Sequence, residues 1–126
     1  MTDTKFAKAV IERVWKWKKV RNPNKLAKRG IHRYLYLDKD DEYHLTTHPE
    51  DRLKSSSGFS RSFNFIVSKY EQSITIDFAR HKDADGSWAC NVGLNEDYQW
   101  SGYGDTHTRA LHEVALQMAC KAKEGK

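Results

Sequence analysis

The chain has 126 residues, the length of one ordinary domain, and 22 Lys and Arg outnumber 17 Asp and Glu for a formal charge of +5. No apolar run approaches the roughly 18 residues of a membrane span, and Asp3, Lys5, Lys8 and Glu12 break up the apolar stretch that a secretory leader would need. Cys90 and Cys120 are too few for a disulfide scaffold or an all-cysteine zinc site, so a soluble, cytoplasmic protein with a modest core of Phe, Tyr and Trp is expected.

The charge is uneven. Residues 1–33 hold eleven Lys and Arg against two acids, net +9, and residues 34–126 hold eleven against fifteen, net −4. Such a chain reads as one domain over 1–126, with a basic arm (1–33) on a mildly acidic body (34–126). A basic arm steers towards phosphates or towards an acidic protein surface.

A first helix is predicted over residues 4–20, where Phe6, Ala7, Val10, Ile11, Val14 and Trp17 share one face. Lys5, Lys8, Lys16 and Lys19 fall on the opposite face, with Trp15 at its edge. Lys18 and Arg21 would land among the apolar positions, so the helix is expected to end or bend near Trp17. Asn22-Pro23 stops it in any case. Residues 22–30 read as a turn or short helical segment, and 33–37 and 42–46 as strands joined by the acidic turn Asp38-Lys39-Asp40-Asp41.

Residues 48–58, with Pro49, three serines and Gly58, are predicted to form a mobile loop. Strands follow in period two: Phe63, Phe65 and Val67; then Ile74, Ile76 and Phe78; then Trp88, Cys90, Val92 and Leu94. Asp83-Ala84-Asp85-Gly86 reads as a hairpin turn. A short strand over 98–103 leads to a helix capped by Asp105 or Thr106 and running to about Lys123, its buried face being Leu111, Val114, Ala115, Met118 and Ala122. The expected class is α+β, with an antiparallel sheet of about five strands flanked by an N-terminal and a C-terminal helix.

Residues 73–122, with Gly102-Tyr103-Gly104-Asp105-Thr106 before Ala110-Leu111, resemble the β–β–α half of double-stranded-RNA-binding domains and the similar turn of HicB-type antitoxins. A fainter likeness over 63–120 is to small lambdoid-phage accessory proteins of the NinX type. Where the RNA-binding family places a lysine pair, this chain has His107, Thr108 and Arg109, so the resemblance implies a phosphate contact at Arg109 alone. HicB-type helices open with glutamates, which this one lacks.

Motifs for chemistry are sparse. His44 and His48 have a helical metal-ligand spacing, but in a strand followed by Pro49 that offset does not align them. Asp38, Asp40, Asp41 and Glu42 lack the glycine and glutamate of a calcium loop. Cys90 falls on an apolar strand face and neither cysteine has an evident His partner, so no enzyme, metal or cofactor is expected. Gly102-x-Gly104 has no Walker lysine. The candidate contacts for nucleic acid, or for an acidic protein or nucleoprotein surface, are Lys5, Lys8, Trp15, Lys16, Lys19, Arg21, Lys25, Lys28, Arg29 and Arg109. Two readings follow: a nucleic-acid-binding module, or a phage-encoded inhibitor or adaptor of anti-CRISPR style that docks on a host protein. Leu116 and Cys120, one turn apart on the polar side of the last helix, are a candidate protein contact that a homodimer would use.

Overall fold

The computed structural model describes residues 2–20, 34–80, 87–94 and 97–124. Helix α1 (Asp3–Ala9) begins at Thr2, whose side chain accepts from the Lys5 amide at 3.2 Å. It widens at once into a π-helical stretch, Val10–Val14, in which the Trp15 amide reaches back to the Val10 carbonyl. The longer repeat rotates the following residues, so Trp15 swings from the polar edge into the core and is only 5% exposed. Lys16 then takes a positive φ of 63° and turns the chain into strand β1 (Lys18–Val20). The predicted helix over 4–20 is thus too long, and its four-lysine stripe breaks in two. Lys5 and Lys8 stay on the helix, Lys16 sits in the turn, and Lys19 belongs to a strand.

Strand β1 pairs antiparallel with β2 (Tyr34–Leu37), which pairs with β3 (Tyr43–Thr46). The acidic turn between β2 and β3 is where the sequence put it. Asp38 Oδ1 accepts from the amides of Asp40 (2.8 Å) and Glu42 (2.9 Å), and Asp41 takes the left-handed φ of 61°.

The expected loop over 48–58 and the expected strand around Phe63, Phe65 and Val67 are both helical. Helix α2 (Pro49–Lys54) opens on Pro49, which suits a first helical turn. Ser55 then caps α3 (Ser56–Ser68), its hydroxyl accepting from the Gly58 amide at 3.0 Å. The buried positions of α3 are Gly58, Ser62 and Ile66, four apart. Two of the three are not apolar, so the helical period is hidden and the alternating aromatics dominate the pattern.

A second antiparallel sheet has the order β4 (Thr75–Arg80), β5 (Trp88–Leu94), β6 (Asp97–Gly104), with a bulge between Val92 and Gly93. The class is α+β, with two three-stranded sheets in place of one sheet of about five strands. The predicted Asp83–Gly86 turn lies outside the described residues, as do Arg21, Lys25, Lys28 and Arg29.

Helix α4 (His107–Glu124) begins after Thr106, whose hydroxyl accepts from the Arg109 amide at 3.1 Å. Leu111, Val114, Ala115 and Met118 are buried as expected, while the side chain of Ala122 is outside the described residues. Gly102 lets the sheet lie against this helix: a Cβ there would stand 2.6 Å from the Ala110 carbonyl oxygen and 2.8 Å from the Val114 amide nitrogen. The other side of α4 is covered as well, by α2, α3 and the π-helical stretch. One continuous cluster of buried residues therefore runs from Phe6 to Met118.

Candidate functional site

The surviving cationic face lies along α1 and reaches the first sheet at Tyr34. Lys5, Lys8, Glu12 and Arg13 line a shallow groove of about 240 Å³. Lys8 Nζ stands 4.6 Å from the centre of the Tyr34 ring and Lys19 Nζ 5.6 Å from the same ring. Two lysines eleven positions apart, one from a helix and one from a strand, converge on one aromatic. Among the described residues no carboxylate is paired with Lys5, Lys8 or Lys19. Tyr34 was not among the candidates read from sequence, because the hairpin that carries it has no helical phase relation to the lysines. Inside the same sheet the neighbouring Tyr36 phenol is held well above its usual range, by burial first and then by the Glu12 carboxylate.

Other candidates are engaged within the chain. Trp15 is not at a surface edge: its indole N–H donates to Ser62 Oγ at 3.0 Å in the core. Arg109 pairs with Asp3 at 3.1 Å and lies 3.5 Å from the centre of the Phe6 ring, so its guanidinium ties α4 to α1. Leu116 is half-buried against the core, and the Cys120 thiol accepts from Arg13 at 3.1 Å. The far side of α4 faces protein where the sequence suggested solvent. His112, expected on that polar side, is fully buried.

His112 organises the interior. The Ser62 hydroxyl donates to His112 Nδ1 at 2.6 Å, and His112 Nε2–H donates to the Leu53 carbonyl at 2.8 Å. This relay from Trp15 through Ser62 and His112 to Leu53 satisfies each buried polar atom in one direction and assigns the neutral Nε2–H tautomer. Burial, with help from the Arg109 charge, pulls the imidazole down to about 4. A serine on a histidine suggests a nucleophile and its base, but Ser62 is 0% exposed and its oxygen already accepts the Trp15 indole. The pair is part of the core. A cavity of about 280 Å³ beside it is lined by Asp3, Glu50 and Asp105 together with Lys54 and Arg109.

His44 and His48 do not converge. His48 lies 3.6 Å from Glu50, whereas His44 bonds to Asp38 at 2.7 Å and stacks on Trp17 with ring centres 4.3 Å apart. Asp38, Glu42 and His44 bring their ligand atoms within 4.8 Å of one another. Their bonding is that of the turn: His44 first, then the turn amides, hold the Asp38 carboxyl below its usual range. Cys90 is buried, its thiol pushed up to about 12 by burial and by Asp77, which matches the expected packing role. No described helix is long and apolar enough to cross a membrane. No protein-family model, no curated protein and no solved structure matches this chain.

Proposed function

We propose that the chain is a small non-enzymatic binding protein that contacts nucleic-acid phosphates through the cations gathered at Tyr34. The observation that carries this reading is the convergence of Lys8 and Lys19 on one ring, with Lys5 and Arg13 along the adjoining helix face. Cation–π contacts hold the two ammonium groups in place without neutralising them, so they remain available to phosphate oxygens. No described feature supplies base-specific readout, so affinity in this reading is electrostatic and tolerant of sequence.

The test is fluorescence anisotropy with single- and double-stranded DNA and RNA across a salt series. Four neutralised phosphates predict a log–log slope of about −3.6 on B-DNA, a loss of roughly 150-fold between 50 and 200 mM salt. Lys8→Glu with Lys19→Glu should flatten the slope and weaken binding to every sequence alike. Absence of binding to any nucleic acid at low salt would overturn the proposal and leave an acidic protein surface as the partner to seek.

A further inference from the structure

A cavity of about 330 Å³ opens where the end of α3 meets the edge of the second sheet, lined by Lys69, Tyr70, Gln99, Trp100, Met118 and Lys121. Three elements build it. Lys69 caps α3, and the Tyr70 amide bonds back to the Val67 carbonyl at 3.2 Å, which keeps both residues at the helix end. Trp100 lies in the row Ile76–Val92–Trp100, on the sheet face that carries Gly102 against α4. Because β6 is an edge strand, its ring is only half-covered. Met118 and Lys121, one turn apart on α4, supply the remaining wall.

The charge of this cavity has one sign. Its described lining holds two lysines and no carboxylate, whereas the cavity beside His112 mixes Asp3, Glu50 and Asp105 with its cations. Lys69 Nζ stands 4.7 Å from the centre of the Phe65 ring, and Lys121 Nζ 5.4 Å from that of Trp100. Among the described residues neither ammonium is paired with a carboxylate. The Tyr70 hydroxyl donates to Gln99 Oε1 at 3.1 Å, which leaves the Gln99 amide N–H groups as donors at the rim. An aromatic face between two unneutralised cations suits a flat ring that carries an anionic group. A nucleotide meets both demands, and the volume is at the low end for a small-molecule site.

We propose that this cavity takes one nucleotide unit, its base stacked on Trp100 beside Tyr70 and its phosphate held between Lys69 and Lys121. The base displaces the Lys121 ammonium from the ring, and the freed ammonium meets the phosphate. This goes beyond the proposed contacts at Tyr34, which engage phosphates of a duplex and of a single strand alike. Trp100 needs an unpaired base, so the cavity selects a single strand or a free nucleotide.

The test follows the Trp100 indole N–H in proton–nitrogen correlation spectra of the full chain, with the signal assigned by Trp100→Phe. Thymidine monophosphate, or oligothymidylate of about ten residues, should shift that signal saturably. Saturation by the mononucleotide identifies a free nucleotide as the source, and saturation by the oligomer alone identifies a strand. The oligomer annealed to its complement should leave the signal in place. Lys69→Glu with Lys121→Glu, both at exposed positions, should abolish the shift at an unchanged thermal midpoint. Trp100→Leu should weaken single-strand affinity by about 5- to 150-fold, the range for one lost base stack. Lys8→Glu with Lys19→Glu should leave the response to the mononucleotide intact, so failure at Tyr34 and failure here are told apart. No shift with either probe would overturn the proposal. So would a shift that survives the Lys69 and Lys121 changes, or one that the duplex produces equally.

Discussion

Protonation of His112 is the perturbation with the clearest consequence. The ring is buried, donates to the Leu53 carbonyl and accepts from Ser62, so it has room for one proton only. Its neutral form persists down to about 4 in the folded chain, against an ordinary value of 6.5. Between those values the unfolded chain binds a proton that the folded chain refuses, so stability rises with pH across the window. It is fully present above 6.5 and is lost as pH falls towards 4. At about 1.4 kcal/mol per decade the interval amounts to about 3 kcal/mol, a large share of a typical domain's total. Urea unfolding followed by tryptophan fluorescence, repeated in steps from neutral pH to pH 4, measures the loss directly. His112→Gln keeps a donor for Leu53 but cannot titrate, so its stability should fall by about 3 kcal/mol less over the same range. Parallel pH profiles for the two proteins would show that His112 is not the group responsible.

Other outcomes follow from the packing. Trp15→Phe deletes the indole donor to Ser62 and should cost about 1–3 kcal/mol in urea unfolding, the range for a broken buried hydrogen bond. Gly102→Ala places a methyl against Ala110 and the Val114 amide, and should cost about 1–3 kcal/mol by overpacking, with a matching drop in thermal midpoint. Phe78 and Trp88 both hold ring centres 5.7 Å from His107 but are only half-buried, so each change to Ala should cost about 2 kcal/mol, below the 3–5 of a fully buried ring. Arg109→Ala breaks the Asp3 pair and uncovers Phe6; it should loosen α1 in hydrogen exchange while leaving the salt slope of the proposed nucleic-acid binding unchanged.

What the sequence made legible depended on whether local pattern and tertiary environment agreed. Strands β4 to β6 and helix α4 were legible because a single sheet–helix interface sets both periods: Cys90 and Val92 point at one helix, and Leu111 and Val114 at one sheet. Helix α3 was not, because it buries Gly58 and Ser62 where a packed helix usually buries leucine. Those small residues are there for a reason visible only in three dimensions. Ser62 must take a hydrogen bond from Trp15 and give one to His112, and a bulkier apolar residue would leave both aromatic nitrogens unsatisfied.

The same relay explains the misplaced lysines. Trp15 reaches Ser62 only because the helix widens at Val10–Val14, and a uniform α-helix would have left it outside. Widening ends the helix early, releases residues 18–20 into a strand and carries Lys19 from the helix face to the sheet. The lysines of the predicted stripe are thus redistributed by a core requirement, and Lys8 and Lys19 meet again only across Tyr34. Core and surface are coupled at that point. Trp15→Phe should therefore loosen the π-helical turn and, through Lys19, weaken the proposed phosphate binding along with stability. Lys19→Glu, by contrast, should weaken binding at unchanged stability. If Trp15→Phe leaves binding intact in anisotropy while lowering the unfolding midpoint, the turn does not set the position of Lys19 and core and surface are not coupled there.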